Sequence, residues 1–445
     1  MARRRRLERS ERVVVSELDA DGIGVADVEG FRLRVRGGLP GENATVKVLR
    51  RRRNRLETQA EVIADPHHDR VAPPCPWTAR CGGCVLQHLA PAAQRDIKRT
   101  RLAALFDEQG VAQPAVWLPD VLGPNTGYRH KARLGVRQVP GRQVMVGFRE
   151  PASSRVADVD ACRILAPAVG ERLAELKALV TSLSIAGAVP QLEMACGETD
   201  FAIIVRHLQP LGPGDDERLI GFAAASGAQI YLQSAGPDSV VRLWPEAGAA
   251  RLHYSLPAFG LRLAFHPLDF VQVNPAINRQ MVALALDLLA PGPNDRVLDL
   301  FCGIGNFTLP LASRAASVHG IEGSEALVER AQENLAANRA ALADSCVTFS
   351  AADLYADSFD VGQLPAADLL LLDPPRSGAE NIARGIAQLA PRRVVYVSCH
   401  PGTLARDARL FAEGGYVLSA AGILDMFPHT VHVESIAVFE PAARI

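Results

Sequence analysis

Cys399 ends an apolar run, Val394-Val395-Tyr396-Val397-Ser398. A second run, residues 368–372, ends at Asp373-Pro374-Pro375-Arg376-Ser377-Gly378. A cysteine on a buried strand end is ordinarily inert packing. Beside a rigid acidic loop it can serve as a nucleophile. Thiolate chemistry is required when the acceptor is a pyrimidine carbon, because C5 of uracil is a poor nucleophile. Sulfur adds at C6, an enolate forms, and C5 can then take an electrophile. A base must afterwards remove the C5 proton so that the thiolate can leave. The tail offers Asp425, His429, His432 and Glu434 for that task, and Glu434 opens the apolar run 436–439.

A third group of residues joins a strand to a helix. It reads Leu298-Asp299-Leu300-Phe301-Cys302-Gly303-Ile304-Gly305-Asn306-Phe307. Two glycines allow a tight turn and close backbone approach to a ligand. The dinucleotide fingerprint wants a third glycine where Thr308 stands. D-x-F-x-G-x-G with an acid after the next strand fits better. That acid is Glu322, after Val318-His319-Gly320-Ile321, where a carboxylate can accept both ribose hydroxyls. This is the arrangement that holds S-adenosylmethionine (SAM).

Four of the eight cysteines form a fourth group. Cys75, Cys81 and Cys84 are spaced C-x5-C-x2-C, and Cys162 is a distant fourth. A long chain of this kind is not a disulfide scaffold. Zinc favours paired C-x2-C knuckles, and only one is present. The irregular spacing suits zinc or an iron–sulfur cluster on physical grounds. The radical-SAM spacing C-x3-C-x2-C is absent. Cys196, Cys302 and Cys346 read as packing residues.

These groups need elements to position them. Residues 12–64 hold short β segments with Gly and Pro turns, which predicts a small OB-like barrel. Residues 93–110 predict a helix, and residues 128–260 an α+β region. From about residue 276, strands and helices alternate, the pattern of a doubly wound sheet with ligands at its carboxyl edge. The expected domains are 1–65, 66–265 and 266–445, with the helical segment at about 91–118 a candidate to pack on the last. With 445 residues, 48% hydrophobic and 22% charged, disorder and fibrous folds are excluded. No apolar run reaches the roughly 18 residues of a membrane span. The charged start has no apolar segment behind it, so the cytoplasm is the expected compartment. Residues 1–64 carry 15 Lys+Arg against 10 Asp+Glu, clustered at Arg3 to Arg6 and Arg50 to Arg55, which suits a polyanion such as RNA. Tyr128-Arg129-His130-Lys131 reads either as a phosphate grip or as a solvated turn.

Together these residues resemble the RNA uracil-5-methyltransferase family, most closely its 23S rRNA type with an N-terminal TRAM domain and a [4Fe-4S] cluster. The resemblance covers essentially the whole chain. Besides the groups above it rests on Phe270-Val271-Gln272-Val273-Asn274 and Phe427-Pro428-His429-Thr430 leading to Glu434. It implies a Rossmann-like SAM-dependent methyltransferase domain, an N-terminal OB-like (TRAM) barrel for RNA and a central α+β iron–sulfur domain. It implies Cys399 as nucleophile and Glu434 as general base. Gln272, Phe301, Asn306, Glu322, Asp353 and Asp373 become the SAM contacts. Cys75, Cys81, Cys84 and Cys162 become ligands of the [4Fe-4S] cluster, and 23S rRNA becomes the substrate. The target base must leave its stack. No feature marks a membrane or an obligate protein partner. Two positions depart from the family pattern: His400 stands where S-C-N-P has Asn, and Val431 where Gly is frequent. A tRNA uracil-5-methyltransferase is the nearest alternative, but the bacterial tRNA type lacks the barrel and the cysteine cluster. A non-catalytic RNA-binding assembly factor is opposed by the intact Cys399, Glu434 and cofactor loop.

Overall fold

Alternation of apolar and polar residues builds the N-terminal sheet. In Phe31–Arg36, Phe31, Leu33 and Val35 are buried while Arg32 is exposed, the period of a strand with one covered face. The computed structural model describes residues 10–442 except 29, 53–54, 140, 142, 249, 343–344 and 357. The Arg3 to Arg6 cluster and Arg53 lie outside the described residues. Six strands run in the order Ser10–Val14, Asn43–Arg52, Arg55–Ile63, Phe31–Arg36, Gly24–Val28 and Glu17–Leu18. They form a curled half-barrel round Val13, Val15, Leu33, Val35, Val46 and Leu56.

The middle of the chain forms a second six-stranded sheet, Val240–Trp244, Ala228–Gln233, Phe201–Arg206, Gln191–Cys196, Lys131–Arg137 and Met145–Gly147 in order. Phe201–Arg206 and Ala228–Gln233 are parallel, so a crossover must join them. Helix Asp215–Ser226 is that crossover. The turn signals at residues 210–214 mark its start. Leu173–Ser182 covers the same face. The opposite face, through Ala195, Ala202, Ile204 and Tyr231, shares one core with hairpin Leu252–Leu256/Leu261–Phe265 and with the last sheet.

The last sheet has eight strands: Cys346–Ala351, Ser317–Glu322, Arg296–Leu300, Leu369–Leu372, Arg393–Ser398, Glu434–Pro441, Tyr416–Leu424 and Val116–Trp117. The first five are parallel. Glu434–Pro441 is antiparallel to Arg393–Ser398. This is a Rossmann-like α/β sheet whose order reverses between Arg296–Leu300 and Leu369–Leu372, the point where such sheets open a ligand crevice. Val116–Trp117 extends the far edge, and helix Pro91–Glu108 packs on helix Pro401–Glu413. Among the described residues no helix is long and apolar enough to cross a membrane.

Candidate functional site

Parallel strands carry their last residues to one edge, and an antiparallel strand brings its first residue there. Hence the residues after Arg296–Leu300, Leu369–Leu372 and Arg393–Ser398 share an edge with Glu434. Ser398 faces Ser435 in the register, so Cys399 follows directly beside Glu434. Both residues lie close enough to Asp373 for their charges to act on one another. Burial pushes the Cys399 thiol up to about 12, and the charges of Glu434 and Asp373 add to it while Arg376 opposes. Glu434 is 2% exposed. Burial, then the charge of Asp373, holds its carboxyl well above the usual range. Burial pushes Asp373 up to about 7 against a bond from Gln272, whose Nε2 donates to Asp373 Oδ2 at 3.2 Å.

The glycine loop lies alongside. Phe301 takes a left-handed φ of 65°, and its ring sits 5.6 Å from that of Tyr355. Gly303 N donates to Glu322 Oε2 at 3.1 Å, and Ser324 N to Oε1 at 3.1 Å. A methyl group built on Gly303 meets nothing within 4 Å, so the loop faces open space on that side. Thr308, where a third glycine would stand in the dinucleotide fingerprint, is buried and donates to Asp299 Oδ2 at 2.5 Å. Asp299 Oδ1 is buried without a partner. Burial raises the Asp299 carboxyl to about 8, and the charges of Asp373 and Glu322 add to the effect. The structure thus gathers Gln272, Phe301, Asn306, Glu322 and Asp373 at one edge with Cys399 and Glu434. Asp353 follows Cys346–Ala351 at that edge but is exposed, and its carboxylate caps Tyr355 N at 2.9 Å.

Asn306 is held rather than free. Tyr254 OH donates to its Oδ1 at 2.8 Å, and Asn278 exchanges two amide bonds with it at 2.9 Å each. Sequence reasoning missed both partners. Asn278 left a signal, since it interrupts the buried stripe of Ile277, Met281 and Val282 on helix Pro275–Leu289. Gln94 and Lys98 were missed in the same way. They continue the buried stripe of Leu102 and Phe106 at four-residue spacing.

Those two side chains engage two of the candidate bases. Lys98 Nζ bonds Asp425 Oδ1 at 2.8 Å and the Phe427 carbonyl at 3.0 Å. Gln94 bonds His429 through both its backbone N–H and its ring. His432 is exposed beside Arg376. Asp425 and His429 are therefore committed to the scaffold. The departure at His400 is accommodated too: its Nδ1 accepts from Thr403 N at 3.2 Å and caps helix Pro401–Glu413 as an asparagine would.

Two expectations need correction. Tyr128-Arg129-His130-Lys131 is not a solvated turn. Tyr128 is 2% exposed with its hydroxyl on the Pro428 carbonyl, and Lys131 Nζ donates to the Asp269 carbonyl. The β pairing of Lys131–Arg137 draws this segment into the core. Cys346, expected to pack, is exposed at the edge strand, whereas Cys196 and Cys302 are buried.

The four clustered cysteines converge. Burial pushes Cys84 up to about 12 and Cys162 to about 11, and each feels the charges of other members of the group. Cys81 is raised by burial as well. Zinc at about 2.3 Å from each sulfur needs sulfur pairs about 3.8 Å apart. Among the described residues, the three ligand atoms within 4.8 Å of one another are those of His67, His68 and Asp69, and no three of the cysteine sulfurs come that close. Arg36, reaching across from the N-terminal sheet, donates to the Cys81 carbonyl at 2.7 Å.

The tRNA (uracil-5-)-methyltransferase family profile matches residues 261–441. A 23S rRNA (uracil(1939)-C(5))-methyltransferase RlmD of Bordetella bronchiseptica is 49% identical over 96% of this chain and 92% of its own length. That of Alkalilimnicola ehrlichii is 48% identical over 99% of both chains. The chain belongs to the RlmD family of RNA uracil-5-methyltransferases. The crystal structure of Pyrococcus abyssi tRNA (uracil-54, C5)-methyltransferase with S-adenosyl-L-homocysteine is similar in fold, with a TM-score of 0.71 and 24% identity over 96% of this chain and 99% of that one.

Proposed function

We propose that this chain transfers a methyl group from SAM to C5 of a uridine in 23S rRNA, with Cys399 as nucleophile and Glu434 as general base. The observation that carries this reading is the register placing Glu434 beside Cys399 while Lys98 and Gln94 consume the rival groups Asp425 and His429. The relatives' names supply the substrate class. Glu322, with the open face of Gly303 and the unpaired Asp299 Oδ1, suits the ribose and amino groups of SAM, and Asn306 is fixed next to them. SAM brings an electrophilic methyl group on a cationic sulfonium. The Cys399 thiolate adds to C6, and the C5–C6 π electrons move to the uracil carbonyl as an enolate. C5 then forms its bond to the methyl carbon as the methyl–sulfur bond of the sulfonium breaks, and the sulfur leaves with that electron pair as the neutral thioether of S-adenosyl-L-homocysteine. Glu434 removes the C5 proton, the C5–C6 double bond re-forms, and the Cys399 sulfur leaves with its electron pair. Asp373, held by Gln272, positions the neighbouring loop.

We infer further that Cys75, Cys81, Cys84 and Cys162 hold a [4Fe-4S] cluster, a reading supported by their irregular spacing and mutual proximity, and that the N-terminal half-barrel is a TRAM domain meeting RNA. A 630 Å³ cleft lined by Arg50, Arg55 and Arg155 supports a polyanion on that side. Glu434→Gln tests the mechanism. It keeps the side chain's size and loses its basicity, so an adduct of Cys399 with already methylated RNA should accumulate. General-base loss costs about 100- to 10,000-fold, and product release should slow by that order. Labelled SAM and a denaturing gel read both quantities. Normal turnover without trapped RNA removes Glu434 from the base role.

A further inference from the structure

We propose that the cysteine-bearing loop positions the general base: Val85 and Leu86, which follow Cys84, clamp the His429 carbonyl and so fix the segment that delivers Glu434. The proposal rests on the reading of Glu434 given above. Val85 N and Leu86 N both donate to His429 O, each at 3.0 Å. His429 N donates to Gln94 Oε1 at 2.7 Å. Gln94 Nε2 in turn donates to the carbonyls of Leu86 at 3.0 Å and Leu89 at 2.8 Å, and lies 3.3 Å from His429 Nδ1. Gln94 is 2% exposed and therefore ties the cysteine loop and the tail segment together from inside.

His429 has a φ of 68°, a conformation that non-glycine residues hold only when their surroundings over-determine it. The clamp supplies that determination, because it occupies both backbone polar atoms of His429. Four residues separate His429 from Glu434. Thr430 Oγ1 bonds the Phe427 carbonyl and accepts from His432 N, which keeps the intervening turn short and stiff. A shift at His429 is thus passed on to Glu434. An independent apolar contact closes the same clamp. A methyl group built on Gly22 would lie 2.5 Å from Val431 Cγ1 and 3.1 Å from Leu86 Cδ2. Val431, one of the two departures from the family pattern, fills the space that Gly22 leaves beside Leu86. The cysteine ligands, the barrel turn and the base segment therefore meet at one point.

Gln94 is a positioning residue in this scheme. It touches neither substrate nor cofactor, and its loss should mimic Glu434→Gln rather than Cys399→Ala. In Gln94→Ala, with iron content and SAM affinity unchanged, methylated RNA should remain attached to Cys399. Misplacing a reacting group by about 1 Å costs on the order of 100-fold, so release should slow by about that factor. Where Gln94→Ala fails to fold, Gln94→Glu keeps the acceptor for His429 N and loses the donors to Leu86 and Leu89. Full turnover, or lost turnover without adduct while Glu434→Gln shows one, overturns the clamp. If Glu434→Gln itself traps nothing, the base assignment fails instead, and hydrogen exchange still decides the clamp. In Cys84→Ser, which weakens the cluster, the His429 amide should exchange at least about tenfold faster while amides of Arg296–Leu300 keep their protection. Unchanged exchange at His429 rejects the coupling.

Discussion

Cys399, the proposed nucleophile, is held as a neutral thiol. Its thiol sits at about 12 because it is buried and faces two acids, with Arg376 alone among its named neighbours favouring the thiolate. At pH 7 the thiolate is therefore roughly one part in 100,000 of the ligand-free protein. Alkylation of Cys399 by iodoacetamide should rise about tenfold per pH unit from pH 8 to 10. Between pH 6 and 8 the slope should be shallower. Asp373, at about 7, ionises there, and each added negative charge holds the thiol proton more tightly. Mass spectrometry of the Cys399 peptide separates this reaction from that of exposed Cys346. A rate independent of pH across 8 to 10 rejects the buried neutral thiol. At this scale the sequence was informative because Cys399, Asp373 and Glu322 each end a strand and Glu434 begins one. Strand ends are local features, and the alternation of elements puts them at one edge. Asp425 and His429 could not be set aside from sequence, since their partners Lys98 and Gln94 lie more than 320 residues away.

Helix Pro275–Leu289 turns a flexible glycine loop into a fixed one. Asn274 caps it by accepting from Ile277 N, and Asn278 reaches one turn in to the side chain of Asn306. Asn278→Ala removes two amide bonds and leaves Asn306 Nδ2 without its acceptor, while Tyr254 OH still donates to Oδ1. An unsatisfied buried polar group costs about 1–3 kcal/mol. If that cost falls on the loop, SAM affinity should drop by about tenfold, since 1.4 kcal/mol is a factor of ten. Calorimetric titration with SAM measures it, and Asn278→Asp should recover part of the loss through one retained bond. Unchanged affinity in Asn278→Ala shows that the loop holds itself. The elements themselves were legible from residue 276 onward, where periodicity is strong. Earlier elements were less so. Gln191–Cys196, Val240–Trp244 and the strands of the hairpin at residues 252–265 are only five or six residues long, too short for periodicity alone to set their bounds. Val116–Trp117 is two residues long and joins a sheet whose other strands begin at residue 296. No local pattern can announce such an edge.

Across the whole molecule, a buried cation helps to fasten the N-terminal half-barrel to the cysteine loop. Arg36 is 8% exposed and donates to the carbonyls of Cys81 at 2.7 Å and Thr78 at 3.4 Å. Burial pulls its guanidinium below the usual value, and the neighbouring Cys81 and Cys84 sulfurs pull it back up. In the proposed cluster the sulfurs would be ionised ligands, and Arg36 would be a counter-ion to them as well as a strut between regions. Arg36→Met keeps most of the stem and removes the charge and the donors. Two half-buried carbonyls then lose this donor, and the cysteine sulfurs lose a neighbouring cation. Loss of a group that supports metal ligands costs about 10- to 100-fold in metal affinity. Iron release to a chelator, followed by visible absorbance, should therefore accelerate by about that factor. Arg32→Met is the control, because Arg32 lies on the same strand but is exposed and pairs with Glu17. It should leave iron release unchanged. If both variants lose iron at the wild-type rate, Arg36 is a strut alone. Faster proteolysis near residues 64–70 in Arg36→Met, with iron retained, would then mark its only role as holding the barrel in place.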